Sequence, residues 1–283
     1  MRTHAAAQLA SERVLERAPD PGPRDVAPRT EGAAVRVGAA DRPWIVGRVT
    51  TPHSRLRLIC LPQAGGSAGS FAPWRLAAEQ PGVELATVEL PGRGVGSTEE
   101  LPATLEELAD TVIDGIADEL DGPYALFGHS FGALLGYEIA VRVTRRGLTP
   151  PTALVVSASR APHTPVRRHV SHLEDRELLA WLEGFGGFPP ELSRYPAYLH
   201  YALRTVRRDL ALVEGYRAAA AVPVGCPLHV FGGAGDPLVS GEQLERWREC
   251  AGGEFTARLL PGGHDYLFTG APAMLDALAS ALR

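Results

Sequence analysis

The sequence predicts an α/β fold with a mostly parallel sheet flanked by helices. Strand and helix patterns alternate along the chain from residue 43 onward, which is typical of this class. Several strand patterns are near-continuous apolar runs such as Leu56–Leu61, as expected for strands buried on both faces of a parallel sheet. The third observation is the pentapeptide G-x-S-x-G at residues 128–132, which stands between an apolar run and a helical pattern.

Composition excludes several functional classes. The 283 residues can bury one large core, so we expect one domain at residues 43–283. A net charge of −5 gives no electrostatic basis for binding nucleic acid or an anionic membrane. All 28 basic residues are Arg, which excludes a Walker-A lysine, a Schiff base and a Ser-Lys dyad.

The cysteines and the N-terminal residues indicate a cytoplasmic protein. The 3 cysteines, at positions 60, 226 and 250, are too scattered for a disulfide framework or a zinc site, which favours a reducing compartment. No apolar run has the length of a membrane span. Residues 1–17 carry charges where a signal peptide would need an apolar segment.

Residues 1–42 are predicted to form a disordered tail. Residues 5–18 fit a short, weakly amphipathic helix, and the stretch that follows is rich in Pro, Ala, Gly and Arg. Such a stretch has too few large apolar residues to offset its ordering entropy. A docking tail is the alternative interpretation.

The remaining elements follow in order from apolar periodicity. The helix at residues 104–120 is the clearest, because six apolar residues share one face, and Thr104 with Glu107 fits a capping box. A helix is also expected directly after Ser130. The other predicted strands are residues 83–90, 124–127, 153–157, 228–231 and 255–260, and the other predicted helices are residues 71–80 and 274–282.

Residues 162–222 interrupt the alternation and predict a helical insertion. They contain helical patterns at 174–181 and 198–216 without a strand pattern. Sixty residues exceed one crossover helix, so we place the insertion above the carboxyl ends of the strands, where open α/β sheets bind ligands. It is interpreted as a lid in which Phe185 and Phe188 line a substrate channel, with extra packing helices as the alternative.

Ser130 is the candidate nucleophile, held in a strained strand-to-helix turn. A serine hydroxyl needs a base that is itself oriented by an acid, and in this fold the chain order is serine, acid, histidine. His264 follows the last predicted strand, and Asp236 follows the strand before it. Asp209 and Asp175 are rival acids only if the insertion folds inward.

The oxyanion hole requires two backbone N–H groups. Phe131 follows the nucleophile and supplies one, and Ala64, in the loop after the first core strand, is chosen for the other, with Gln63 as the alternative. In the resulting mechanism Ser130 attacks an acyl carbonyl and water releases the acyl-enzyme. Neither a metal nor a redox cofactor is required.

Seven short motifs stand in order along the chain: Trp44-Ile45, CLPQAGGSA at 60–68, LPGRG at 90–94, GHSFGALLGYE at 128–138, Arg208-Asp209, GGAGDPLV at 232–239 and PGGHDYL at 261–267. In this combination the sequence resembles the type II (editing) thioesterases that accompany polyketide and nonribosomal peptide synthases. The resemblance covers residues 41–283. It implies an α/β-hydrolase fold with a helical lid that acts on acyl thioesters of phosphopantetheine-bearing carrier proteins in antibiotic biosynthesis. Separately from the resemblance, we expect a monomer.

Asp265 departs from the family pattern, which usually has an aromatic residue after the histidine. Its carboxylate is interpreted in three ways: it favours the imidazolium of His264, it caps the turn or the following helix or faces solvent, or it hydrogen-bonds a polar substrate group such as the phosphopantetheine amides. The long tail is the second departure.

Other functions share the same site residues. A carboxylesterase or lipase, and an acyltransferase or cyclase, would use the same serine chemistry. A non-catalytic binding protein on this fold is the alternative from another class.

Overall fold

The computed structural model describes residues 44–50, 54–77, 83–94, 99–188 and 194–282, and for residues 75–77 it describes the backbone only. The predicted tail at residues 1–42 lies outside the described residues. None of the helices in these ranges is long and apolar enough to cross a membrane.

Seven strands form one sheet in the order β1-β3-β2-β4-β5-β6-β7. β1 pairs antiparallel with β3, and all other neighbours pair in parallel. This architecture confirms the predicted fold class. The strands are β1 (Ile45–Val49), β2 (Leu56–Leu61), β3 (Val83–Val88), β4 (Tyr124–His129), β5 (Ala153–Ser157), β6 (Leu228–Gly233) and β7 (Phe255–Leu260).

Helices cover both faces of the sheet and also fill the segment between β5 and β6. They are α1 (Ala72–Ala77), α2 (Leu105–Gly115), α3 (Phe131–Arg145), α4 (Asp175–Glu183), α5 (Pro196–Gly215), α6 (Gly241–Glu245), α7 (Tyr266–Thr269) and α8 (Ala271–Ala281). The sequence did not predict β1, α6 or α7. β1 is a half-buried edge strand with Gly47 at its centre, and the two helices are too short to show a 3.6-residue period.

Alternation along the central strands builds two hydrophobic cores. In β2, Ile59 and Leu61 belong to the core under α2 and α3, whereas Leu58 and Cys60 belong to the core under α1 and α8. Strands buried on both faces need apolar residues at every position, which is why these strands appear in the sequence as continuous apolar runs.

α2 begins where the sequence predicted, and one of the two hydrogen bonds of the predicted capping box is present. The Thr104 hydroxyl accepts the Glu107 N–H at 3.1 Å. The Glu107 carboxylate accepts the Ala103 N–H at 3.0 Å, one residue before the N-cap that a capping box would use. α2 ends at Gly115 and is followed by a 3-10 turn, so the predicted helix at 104–120 is shorter than expected.

The segment between β5 and β6 is helical, as predicted. α4 and α5 pack around a separate cluster of apolar residues, which consists of Leu178, Leu182, Phe188, Leu203 and Val206. The end of α5 is tied to the sheet by Arg160, whose guanidinium donates to the carbonyls of Val213 at 3.0 Å and Tyr216 at 2.8 Å. The insertion therefore has a small core of its own and a buried polar anchor.

Candidate active site

Ser130 occupies the sharp turn between β4 and α3. Its φ of 54° is unusual for a residue with a side chain. A Cβ atom at Gly128 would lie 2.0 Å from the Gly132 carbonyl oxygen, and one at Gly132 would lie 2.3 Å from the Leu61 carbonyl oxygen. The Ser130 N–H donates to the Ser157 carbonyl at 2.8 Å. The two glycines are therefore required by close backbone contacts, and β5 holds the turn in place.

The structure brings Ser130, His264 and Asp236 together in a hydrogen-bonded chain. The Ser130 Oγ lies 3.1 Å from His264 Nε2, and His264 Nδ1 lies 2.8 Å from Asp236 Oδ2. The Asp236 side chain has no exposed surface, and its Oδ1 accepts the N–H groups of Leu238 at 2.7 Å and Val239 at 3.2 Å. This is the arrangement of a nucleophile, a base and an orienting acid.

Neither rival acid contacts His264. Asp175 begins α4 and pairs with Arg207 at 2.6 Å. Asp209 lies in α5, where it forms an ion pair with Arg93 and accepts the Gly65 N–H at 2.6 Å. The insertion does fold inward at Asp209, but the Asp209 carboxylate contacts the loop after β2 and not His264.

The loop after β2 is held by that buried ion pair. Arg93 is 2% exposed and the Asp209 side chain is 0% exposed. Arg93 Nε donates to the Gly66 carbonyl at 2.7 Å, and its Nη1 donates to the Pro91 carbonyl at 2.8 Å. Burial raises the pKa of the Asp209 carboxyl, and the positive charge of Arg93 opposes that shift. Arg93 and Asp209 are thus positioning residues for the backbone of this loop.

Both predicted oxyanion donors lie close to the serine, Phe131 as the next residue in the chain and Ala64 in the wall of the same cavity. Ala64 and Gln63 line the same cavity as Ser130. Phe131 is the first residue of α3, where a backbone N–H has no acceptor within the helix. The positive end of the helix dipole also points toward the serine. This placement supports the assignment of Phe131 and Ala64 as oxyanion donors.

A second polar network lies behind the histidine. His129 Nδ1 is 2.9 Å from Ser157 Oγ, which is 2.5 Å from the Tyr266 hydroxyl. The His129 ring lies 5.2 Å from the His264 ring, centroid to centroid. Burial lowers the pKa of His129 well below its usual value, so this imidazole is neutral at pH 7. The sequence placed His129 next to the serine without revealing these partners, which come from β5 and α7.

Two cavities meet at Ser130 and His264. The first, which we call the lid cavity, has a volume of about 440 Å³ and is lined by Trp181, Phe185 and Gly186 of the insertion. The second, the rear cavity, has a volume of about 330 Å³ and is lined by Arg167 and Arg168 among others. A substrate that is cleaved at Ser130 would therefore have one cavity for the part on each side of the cleaved bond.

Phe185 and Phe188 have different surroundings. The Phe185 ring stands edge-on to His264 at 5.4 Å and to Trp181 at 4.9 Å, centroid to centroid, and lines the lid cavity. Phe188 is 6% exposed and packs in the cluster between α4 and α5. It is not among the residues that line the lid cavity. The placement supports a channel role for Phe185 and a packing role for Phe188.

The fold and the site define the class of protein. A mostly parallel sheet that presents a serine on a strained turn before a helix, with a histidine after the last strand, is the arrangement of the α/β-hydrolases. The family model for the thioesterase domain matches residues 56–282. The chain belongs to this thioesterase family, which confirms the prediction of a serine hydrolase that acts as a thioesterase.

Known proteins with similar sequences and structures include type II thioesterases. GrsT, a gramicidin S biosynthesis protein of Aneurinibacillus migulanus, is 30% identical over 241 residues, 85% of this chain and 94% of GrsT. RedJ, the thioesterase of the prodiginine pathway in Streptomyces coelicolor, has a TM-score of 0.75 at 35% identity and covers 87% of this chain and 93% of RedJ. BorB, the type II thioesterase of the borrelidin cluster, has a TM-score of 0.75 at 34% identity, with 85% of this chain and 98% of BorB covered. The resemblance inferred from the motifs is confirmed.

Proposed function

We propose that the protein hydrolyses acyl thioesters on the phosphopantetheine arms of carrier proteins, as an editing enzyme of polyketide or nonribosomal peptide biosynthesis. The observation that carries the proposal is the hydrogen-bonded chain Ser130–His264–Asp236 at the junction of two cavities. The similarity to GrsT, RedJ and BorB supports the biosynthetic context.

The chemistry follows from the hydrogen bonds. His264 Nδ1–H donates to Asp236, which leaves Nε2 free to accept the proton of the Ser130 hydroxyl. The Ser130 oxygen attacks the thioester carbonyl, and the N–H groups of Phe131 and Ala64 stabilise the oxyanion. His264 then gives its proton to the departing thiolate. Water, activated by the same imidazole, releases the acid and restores Ser130.

The cavities divide the substrate between them. Aromatic and aliphatic side chains such as Trp181, Phe185 and Val206 suit the lid cavity to the acyl group. The rear cavity is bordered by the exposed Arg167 and Arg168, which form no hydrogen bond or ion pair with any described residue. Arginine favours phosphate. We assign the rear cavity to the arm, whose far end carries a phosphate.

The compartment and the oligomeric state are proposed on two further observations. All three cysteines are unpaired and buried, as in a reducing cytoplasm. We also propose a monomer, because Ser130, His264 and Asp236 of a single chain complete the hydrogen-bonded set.

One experiment separates carrier-thioester hydrolysis from the alternatives. A panel of acyl-loaded carrier proteins is incubated with the enzyme, and intact mass spectrometry follows the loss of the acyl group. Oxygen esters with the same acyl groups are assayed in parallel. We expect free acid as the product and a kcat/KM at least about a hundredfold higher for the carrier thioester. Equal or faster turnover of the oxygen esters would favour a carboxylesterase, and an ester or amide product would favour an acyltransferase.

Phe185 and Phe188 offer a matched pair for testing the channel. Phe185→Leu should change the ratio of kcat/KM for short and long acyl thioesters by about fivefold, because the side chain lines the lid cavity. Phe188→Leu should lower the free energy of unfolding by ~1 kcal/mol with little change in that ratio, because its ring is buried between helices. Turnover of an acyl-chain series and urea unfolding of both variants provide the measurement. A uniform rate loss across chain lengths in Phe185→Leu would contradict the channel role.

A further inference from the structure

The lid cavity contains a carboxylate that the proposed hydrolysis does not use. Asp265 lines this cavity together with Ser130 and His264, and it is half-buried. Among the described residues that line the lid cavity, Asp265 is the only aspartate or glutamate, and no arginine is present. Of the two histidines in the cavity wall, burial lowers the pKa of His129 and keeps it neutral, so among the described lining residues only His264 can carry a positive charge.

The carboxylate of Asp265 has no hydrogen-bond or ion-pair partner in the described part of the protein. It occupies the N-cap position of α7, yet its side chain makes no capping hydrogen bond. No hydrogen bond or ion pair joins its carboxylate to any described residue. This excludes the cap interpretation of Asp265, since a capping carboxylate would accept a backbone N–H of the first turn.

The lid leaves room for this carboxylate. Gly186 follows α4 with a φ of 81°, and a Cβ atom there would lie 3.1 Å from Asp265 Oδ2. Any larger residue would press on the carboxylate. The turn at Gly186 therefore brings the lid backbone against Asp265 while the carboxylate still faces the cavity.

An unpaired carboxylate beside aromatic walls discriminates between acyl groups by charge. A neutral alkyl group that fills the cavity displaces water from the Asp265 carboxylate and offers no hydrogen bond in its place, which disfavours binding. A protonated amine restores a charge-assisted hydrogen bond. Two aromatic side chains, Trp181 and Phe185, line the same cavity, and aromatic rings are favourable neighbours of a cation. A second carboxylate in the cavity is repelled.

We propose that Asp265 is a specificity residue that selects acyl groups bearing a protonated amine and disfavours those bearing a carboxylate. The inference rests on the proposed thioesterase function and on the assignment of the lid cavity to the acyl group. It gives the enzyme a substrate class, amine-bearing acyl thioesters such as aminoacyl groups stranded on a carrier arm.

The test compares three thioesters of nearly equal size on the same N-acetylcysteamine leaving group. β-Alanyl, butyryl and malonyl thioesters carry a positive, a neutral and a negative end in the acyl chain. In the wild-type enzyme kcat/KM should fall in that order. Asp265→Asn keeps the shape and removes the charge, so it should lower the ratio of β-alanyl to butyryl about tenfold and raise the ratio of malonyl to butyryl by a similar factor.

Control variants keep the result interpretable. Glu183→Gln removes a negative charge from an exposed position at the end of α4, which does not line the cavity, and should leave both ratios unchanged. Asp265→Ser is the second neutral variant, in case the asparagine variant is poorly folded. Thermal unfolding of each variant verifies the fold.

Other results would overturn the inference. An equal loss with all three substrates would show that Asp265 binds the common arm or acts through His264. A shared shift in the pH–rate profile of all three would point to His264 in particular. Wild-type hydrolysis without a charge preference refutes the role of Asp265 alone, whereas failure to hydrolyse any carrier-bound or small thioester refutes the proposed function as well.

Discussion

Replacement of Ser130 by alanine should lower acyl release by about a thousandfold or more while the protein stays folded. The hydroxyl is the attacking group, and its proton acceptor, His264 Nε2, lies 3.1 Å away. Alanine keeps the Cβ atom and is smaller than serine, so the turn at Ser130, which already holds a Cβ atom at a φ of 54°, is retained. The measurement is single-turnover release of the acyl group from a loaded carrier protein, with urea unfolding as the test of stability.

A labelling experiment provides the control for this prediction. A fluorophosphonate should modify the wild-type protein and the variant Ser280→Ala, in which an exposed serine of α8 is changed. The same reagent should leave Ser130→Ala unmodified. If Ser130→Ala kept near wild-type hydrolysis with normal stability, another residue would be the nucleophile.

Replacement of Asp209 by alanine should destabilise the protein by about 3–5 kcal/mol, because it leaves the buried Arg93 without its counter-charge. It should also lower kcat/KM by about a hundredfold, because the Gly65 N–H loses its acceptor and the loop that carries Ala64 loses its support. Urea unfolding and hydrolysis of an acyl carrier thioester measure the two effects separately.

A double variant separates loop positioning from stability. Arg93→Met with Asp209→Leu replaces both charges by apolar groups and should recover most of the lost stability. Its activity should remain low, because the hydrogen bonds to Gly65 and Gly66 are still missing. Activity that returned together with stability would show that the ion pair serves the fold alone.

Local pattern and chain order explain what the sequence determined by itself. β2 and β5 match their predicted bounds, because a strand buried on both faces has apolar side chains at successive positions. β7 also matches its predicted bounds, although it is an edge strand whose residues are half-buried or exposed. Ser130 was found from its glycines, which two close backbone contacts require. Asp236 and His264 were chosen because each follows a strand in the chain order of this fold, and the structure places both within hydrogen-bond distance of the expected partners.

The tertiary structure decided features that depend on contacts between distant residues. Asp209 was a rival acid in the sequence, and only its contacts with Gly65 and Arg93, 144 and 116 residues away, show that it supports the loop after β2. Phe185 and Phe188 are three residues apart with the same side chain, yet one lines the lid cavity and the other fills the core of the insertion.

The charge of the lid cavity also became visible only in three dimensions. The sequence left three interpretations for Asp265, and capping is excluded because its carboxylate accepts no backbone N–H of α7. Periodicity reports which face of an element is buried, and motifs report residues that act close together in the chain. Neither reports which side chains from different elements meet. The sequence therefore determined the fold and the candidate serine, histidine and aspartate, whereas the packing of the insertion on the sheet decided the shape and charge of the cavity in which they lie.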